Sequence, residues 1–145
     1  MEMNHVGISV SDLERSIAFY RDLLDMQPMC EIFPFGGPQF QKIMGLPDAE
    51  GRMCVVRGGT VQLELFEFAA PDPAPQDPNY AVANRGISHF AFEVEDIEAT
   101  YKRLLEAGVR FHCAVETFAS GIKATYARDP DGNVFELLEM PKAAS

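Results

Sequence analysis

The sequence predicts an α+β protein: two tandem βαβββ modules whose mixed sheets curl around a cleft, with the helices outside. Three observations predict it. The run His5-Val6-Gly7-Ile8-Ser9-Val10-Ser11-Asp12-Leu13-Glu14 is echoed by His89-Phe90-Ala91-Phe92-Glu93-Val94-Glu95-Asp96-Ile97-Glu98. A second run, Leu63-Glu64-Leu65-Phe66-Glu67, is echoed by Phe135-Glu136-Leu137-Leu138-Glu139. In each half a two-residue hydrophobic period gives way to a helical one and then returns.

The elements follow in order. Over residues 4–10, Val6, Ile8 and Val10 share one face and His5, Gly7 and Ser9 the other, as in a strand with one apolar face. Residues 88–94 repeat the design, with Phe90, Phe92 and Val94 opposite His89, Ala91 and Glu93. Ser11 with Glu14 reads as a capping box for a helix whose stripe is Leu13, Ile17, Tyr20 and Leu24. In the second half Asp96 caps a stripe of Ile97, Tyr101, Leu104 and Leu105 that ends at Gly108. Further strands are expected at 29–35, 52–57, 60–68, 110–116, 122–128 and 133–140, and a short helix around Phe40–Met44. Arg57-Gly58-Gly59-Thr60 and Asp129-Pro130-Asp131-Gly132 supply hairpin turns. The proline-rich run from Pro71 to Pro78 holds neither ladder nor helix, so the expected organisation is a module at 1–70, a linker at 71–86 and a module at 87–145.

Composition excludes several classes. At 145 residues the chain buries enough surface to need no disulfide staples. Cys30, Cys54 and Cys113 are odd in number and carry no C-x-x-C, so they read as buried free thiols of a reducing, cytoplasmic setting. A net charge of −10 opposes nucleic acid and anionic membrane, and neither a membrane-spanning run nor a signal peptide is expected. A small molecule is the expected partner.

His5, Glu64, His89 and Glu136 are the candidate site. A lone strand histidine is more often a hydrogen-bonded structural residue, and a strand glutamate is innocuous at an exposed edge. Glu64 and Glu136, however, sit within apolar strands, where an ionised carboxylate needs a partner. If approximate two-fold symmetry brings the equivalents together, two imidazoles and two carboxylates form the ligand set of one divalent cation. Mixed N/O donors suit Zn, Ni, Co, Mn or Fe(II) rather than Ca. Phe33, Phe35, Phe40, Phe66, Phe68 and Phe118 are candidates for an apolar pocket or for core, and Lys123, Arg52, Arg57 and Arg128 for a substrate carboxylate or for solvent.

Here the chain resembles the vicinal oxygen chelate superfamily, which includes glyoxalase I, methylmalonyl-CoA epimerase, extradiol dioxygenases, fosfomycin-resistance enzymes and bleomycin-binding proteins. The run from His5 to Tyr20 resembles its opening strand and helix, and Ala127-Arg128-Asp129-Pro130-Asp131-Gly132-Asn133-Val134-Phe135-Glu136-Leu137 its closing hairpin. The resemblance implies that His5, Glu64, His89 and Glu136 are metal ligands, with Gln62 the rival of Glu64 if the register slips by two. Where glyoxalase I carries a glutathione-binding arginine this chain has Ser9, and where it carries an asparagine this chain has Phe68, so glutathione is not the implied substrate. The epimerase has Gln in place of Glu64, and Asp48 and Glu50 lie in the loop where its extra acid falls.

The expected function is therefore that of a metal-dependent lyase or isomerase/epimerase acting on a small molecule with vicinal oxygens through a metal-stabilised enediolate. Glu136 is the expected general base and Glu64 the second choice, with the histidines as fixed ligands. An Fe(II) ring-cleaving dioxygenase using His5, His89 and Glu136 is the alternative, although Glu64 would occupy a position that oxygen needs. A metal-free drug-binding module is the third reading. A homodimer is expected, with modules pairing within one chain or across two.

Overall fold

Aspartates start the two long helices. Asp12 holds extended backbone and its carboxylate accepts from Arg15 N at 2.9 Å. Asp96 does the same for Ala99 N at 3.0 Å. Both meet the geometry of a helix N-cap, whose side-chain oxygen satisfies an amide of the first turn. The first cap is therefore Asp12 and not the expected Ser11; Ser11 Oγ instead accepts from the Arg15 guanidinium.

The computed structural model describes residues 2–142. The chain divides into two compact units, Met1–Pro75 and Gln76–Ser145. The first contains β1 (His5–Ser9), α1 (Leu13–Leu24), β2 (Gln27–Pro28), β3 (Phe33–Phe35), α2 (Gly37–Met44), β4 (Glu50–Gly58) and β5 (Val61–Ala70). Its sheet runs β1-β5-β4-β2, with β3 also on β4; β1 and β5 are parallel and the other pairs antiparallel. The second contains β6 (Phe90–Glu93), α3 (Ile97–Glu106), β7 (Arg110–Phe111), β8 (Glu116–Thr117), β9 (Lys123–Arg128) and β10 (Val134–Glu139). Its sheet runs β6-β10-β9-β7, with β8 on β9 and β6 parallel to β10. The fold is thus α+β, with two βαβββ-like modules, two mixed sheets and three helices. Among the described residues no helix is long and apolar enough to cross a membrane.

Several expected elements are shorter than their hydrophobic patterns. The strand expected at 29–35 shortens to β3, with β2 falling just before the expected span, and that at 110–116 is reduced to β7 and β8 at its two ends. His89 lies one residue before β6. Leu105, expected in the α3 stripe, is half exposed, while Ile97 and Leu104 are fully buried. Cys54 is buried, but Cys30 and Cys113 are exposed, so only one of the three thiols is a core residue.

One contact in each unit fixes the helix on its sheet. Glu67 on β5 accepts from Leu13 N at the start of α1, and Glu139 on β10 accepts from Ile97 N at the start of α3 at 2.8 Å. Each glutamate is also paired with a cation on the adjacent strand: Arg52 for Glu67, and Lys123 for Glu139 at 3.0 Å. Leu63 and Leu65 share the Glu67 face, and Phe135 and Leu137 share the Glu139 face; all four are fully buried. The helix therefore covers that face of each sheet, and strand alternation sends Glu64 and Glu136 to the other.

In the second unit, the chain before β6 is tied down by arginines. Arg128 is buried, donates to Gly132 O and Tyr80 O, and lies 5.0 Å from the centre of the Tyr80 ring. Arg110 donates to Asn79 Oδ1 and Pro78 O. Gly132, at φ +90°, closes the β9–β10 turn, and a Cβ there would lie 2.6 Å from Pro78 Cα. Arg52, Lys123 and Arg128 are thus committed to structural partners.

Candidate metal-binding site

Each unit brings one histidine against one glutamate. In the first, Gly7 of β1 stands beside Glu64 of β5, and His5, two residues before Gly7, reaches along the same face. Its Nε2 lies 3.4 Å from Glu64 Oε2. In the second, Ala91 of β6 stands beside Glu136 of β10, and His89, again two residues before, places Nε2 at 3.3 Å from Glu136 Oε2. A glycine and an alanine at the equivalent positions leave room for the imidazoles. Gln62 is in register with His5, yet it is Glu64 that meets the ring. The glutamates lie on interior strands with side chains 27% and 17% exposed, so the edge-strand explanation does not apply to either.

The far side of each imidazole is also duplicated. His5 Nδ1 donates to Asn4 Oδ1 at 2.8 Å, and His89 Nδ1 lies 2.9 Å from Ser88 Oγ. A hydrogen bond at Nδ1 fixes the ring and leaves the Nε2 lone pair for a cation, as in histidine metal ligands generally. The sequence reading passed over Asn4 and Ser88. Their signal was a short polar side chain immediately before the histidine in both halves.

The donor set fits a divalent metal. An imidazole holding its proton on Nδ1, as His5 does toward the acceptor Asn4 Oδ1, turns Nε2 toward the carboxylate, an arrangement that repels unless a cation or a second proton lies between them. Two donors each ~2.0–2.2 Å from one ion stand roughly 3.0–3.4 Å apart, which matches the spacing in both units. Among the described residues, no three or more His, Cys, Asp or Glu side chains gather into a group that could hold a metal ion; what the structure shows is one histidine–glutamate pair in each unit.

The surroundings of the two pairs differ. Opposite Glu64 on β4 stands Val55; opposite Glu136 on β9 stands Tyr126. The Tyr126 hydroxyl is 3.5 Å from His89 Nε2 and its ring centre 4.7 Å from that of the imidazole. Burial, and then the Glu136 charge, push the Tyr126 phenol above its ordinary value, so it remains a proton donor at neutral pH. Beside Glu64 the β5 face carries Phe66 and Phe68, which with buried Phe35 form an aromatic cluster, ring centres 5.1–6.1 Å apart. Phe40 joins it, whereas Phe33 and Phe118 are exposed.

A duplicated module with a histidine at the start of its first strand or just before it, and a glutamate on its last, defines a class of protein. The chain belongs to the Glyoxalase/Bleomycin resistance protein/Dioxygenase superfamily, whose profile matches residues 2–137. It is 30% identical over 150 residues to 2-epi-5-epi-valiolone epimerase of Actinomyces sp, covering 98% of this chain and 81% of that protein. It is 33% identical over 111 residues to ethylmalonyl-CoA/methylmalonyl-CoA epimerase of Cereibacter sphaeroides, covering 74% of this chain and 72% of that protein. A glyoxalase family protein from Bacillus cereus has the same fold, with a TM-score of 0.86 at 22% identity over 96% of this chain and 93% of that one.

Proposed function

We propose that the protein is a metal-dependent isomerase of the epimerase type, acting on a small molecule with adjacent oxygens. The observation that carries this reading is the duplicated placement of a histidine Nε2 within 3.3–3.4 Å of a glutamate oxygen. His5, Glu64, His89 and Glu136 are the side chains that would hold the metal. A divalent cation so held supplies Lewis acidity toward adjacent carbonyl and hydroxyl oxygens.

The rest of the chemistry falls to the chain's own groups. Glu136 removes the proton from the carbon beside the substrate carbonyl and passes it to solvent, and a proton delivered from solvent to the opposite face of that carbon inverts it. Tyr126, a neutral phenol beside His89, donates a hydrogen bond to the oxygen on which charge develops. The epimerase names of two relatives support this reaction class over others within the superfamily.

Elemental analysis of purified protein, followed by ¹H NMR of candidate substrates in ²H₂O, tests the proposal. The expected result is a bound first-row divalent metal and exchange of the α-proton that stops when a chelator removes it. Full exchange by chelator-treated protein overturns the metal role, and oxygen uptake with catechols in place of exchange overturns the reaction class.

A further inference from the structure

Beside Glu136 the second unit hollows into an open cavity of about 310 Å³, whose walls include His112, Cys113, Glu116, Phe118 and Tyr126. Its size lies at the lower end of ligand pockets and is large enough for a single ring. Its chemistry is one-sided. Two carboxylates, Glu116 and Glu136, line it, and among the described residues no lysine or arginine does. The nearby arginines face elsewhere: Arg128 toward Gly132 O and Tyr80 O, Arg110 toward Asn79 and Pro78 O. Burial, reinforced by those two arginines, lowers the His112 pKa, so its imidazole is neutral near pH 7.

Such walls discriminate by hydrogen-bond type. Carboxylates only accept, so they demand a ligand rich in hydroxyl donors. Neutral His112 and the Tyr126 phenol can exchange hydrogen bonds with hydroxyl or carbonyl oxygens. The half-exposed ring of Phe118 offers an apolar plate on which the C–H face of a hydroxylated ring can lie. A carboxylate or phosphate would find no lysine or arginine on these walls, Arg128 and Arg110 acting only through space, and a cation held at Glu136 would still leave Glu116 opposing it.

We propose that this cavity is the substrate subsite and that it selects an uncharged polyhydroxylated ketone or aldehyde over carboxylated or phosphorylated compounds. The inference rests on Glu136 acting as the base, but it concerns substrate class and is tested without turnover.

Cys113 is an exposed thiol on the cavity wall and serves as the reporter. Its alkylation by neutral iodoacetamide and by anionic iodoacetate is followed by peptide mass spectrometry, with a free cysteine peptide as reference. Relative to that peptide, iodoacetate is expected to be disfavoured at Cys113 by about tenfold, equivalent to ~1.4 kcal/mol. Pentahydroxycyclohexanone should protect Cys113 from iodoacetamide, and a ketohexose phosphate should not. Glu116→Lys, an exchange at an exposed position, should erase the preference against iodoacetate and admit the phosphate.

Protection by the phosphate and not by the hydroxyketone overturns the substrate class while leaving the α-proton reading to its own exchange assay. Protection by neither overturns the cavity as a subsite. An unchanged alkylation ratio in Glu116→Lys overturns the charge argument.

Discussion

Glu136→Gln separates proton transfer from metal binding, because the amide keeps an oxygen where the carboxylate has Oε2, 3.3 Å from His89 Nε2. The retained oxygen is a weaker, uncharged ligand, and a loss of metal affinity on the order of 10–100-fold is expected, the scale seen when ligand basicity is perturbed. Proton abstraction has no such substitute. Loss of a general base costs about 10²–10⁴-fold, or roughly 2.7–5.4 kcal/mol of barrier. Glu64→Gln makes the same chemical change at a pair flanked by Val55 rather than Tyr126. It should weaken metal comparably and, once metal is saturating, retain exchange to within about tenfold. The assay is α-proton exchange in ²H₂O at saturating metal, with affinity measured separately by competition with a chromophoric chelator. Glu136→Gln retaining wild-type exchange, or Glu64→Gln losing as much as Glu136→Gln, would refute Glu136 as base.

Three further outcomes follow from the packing. The Glu139 carboxyl is held below its ordinary value of 4.5 by Ile97 N–H and then Lys123, so the stability it contributes is complete above that value and is lost as pH falls below it. Thermal melts across that acid range should show a steep decline that Glu139→Gln flattens; an unchanged slope removes Glu139 as its source. Gly51→Ala would place a Cβ 2.1 Å from Glu67 O and 2.8 Å from Phe35 Cε1, forcing β4 from β5, and urea unfolding should register a loss of about 3 kcal/mol. Gly7→Ala, whose Cβ would meet nothing nearer than Phe66 Cε2 at 3.7 Å, should stay within ~0.5 kcal/mol of wild type. Burial, with Cys30 close by, pushes the Cys54 thiol up to about 11, so a disulfide reagent at pH 8 should modify exposed Cys30 and Cys113 quickly and Cys54 only on unfolding. Rapid reaction of all three would contradict the burial of Cys54.

The repeat was legible because two signals coincided in each half: strict alternation around a histidine, and a glutamate where alternation alone would allow any polar residue. The second glutamate of each echo was not. Glu67 and Glu139 follow Glu64 and Glu136 by three positions, and in a strand an odd spacing reverses the face. One glutamate is thereby sent to the open face and the other under the helix, where it meets Leu13 N or Ile97 N. Neither periodicity nor propensity reveals such a contact, because its donor lies on an element distant in sequence. The same limit hid the partners of Arg52, Lys123 and Arg128. The first cap was misplaced for a local reason: Ser11 and Asp12 are both good caps, and only backbone geometry shows which one precedes the first helical residue.

Duplication explains the chemistry only as far as the two halves agree. They agree on the histidine, the residue bound to its Nδ1, the small neighbour at Gly7 or Ala91, the glutamate, and the second glutamate beneath the helix. They part at the strand beside the glutamate, where Val55 is matched by Tyr126. In the proposed reaction the matched pairs would hold the cation, whereas inversion at carbon would also need a proton acceptor and a charge-stabilising donor. The unmatched tyrosine and the cavity beside Glu136 are where the halves differ in a way that would supply them. Tyr126→Phe should therefore lower exchange by on the order of 10²–10³-fold, the scale set by losing one donor to a developing oxyanion, with metal affinity almost unchanged. Val55→Tyr should restore none of it. If Tyr126→Phe retained exchange while releasing metal, the hydroxyl would belong to the His89 pair rather than to the reaction.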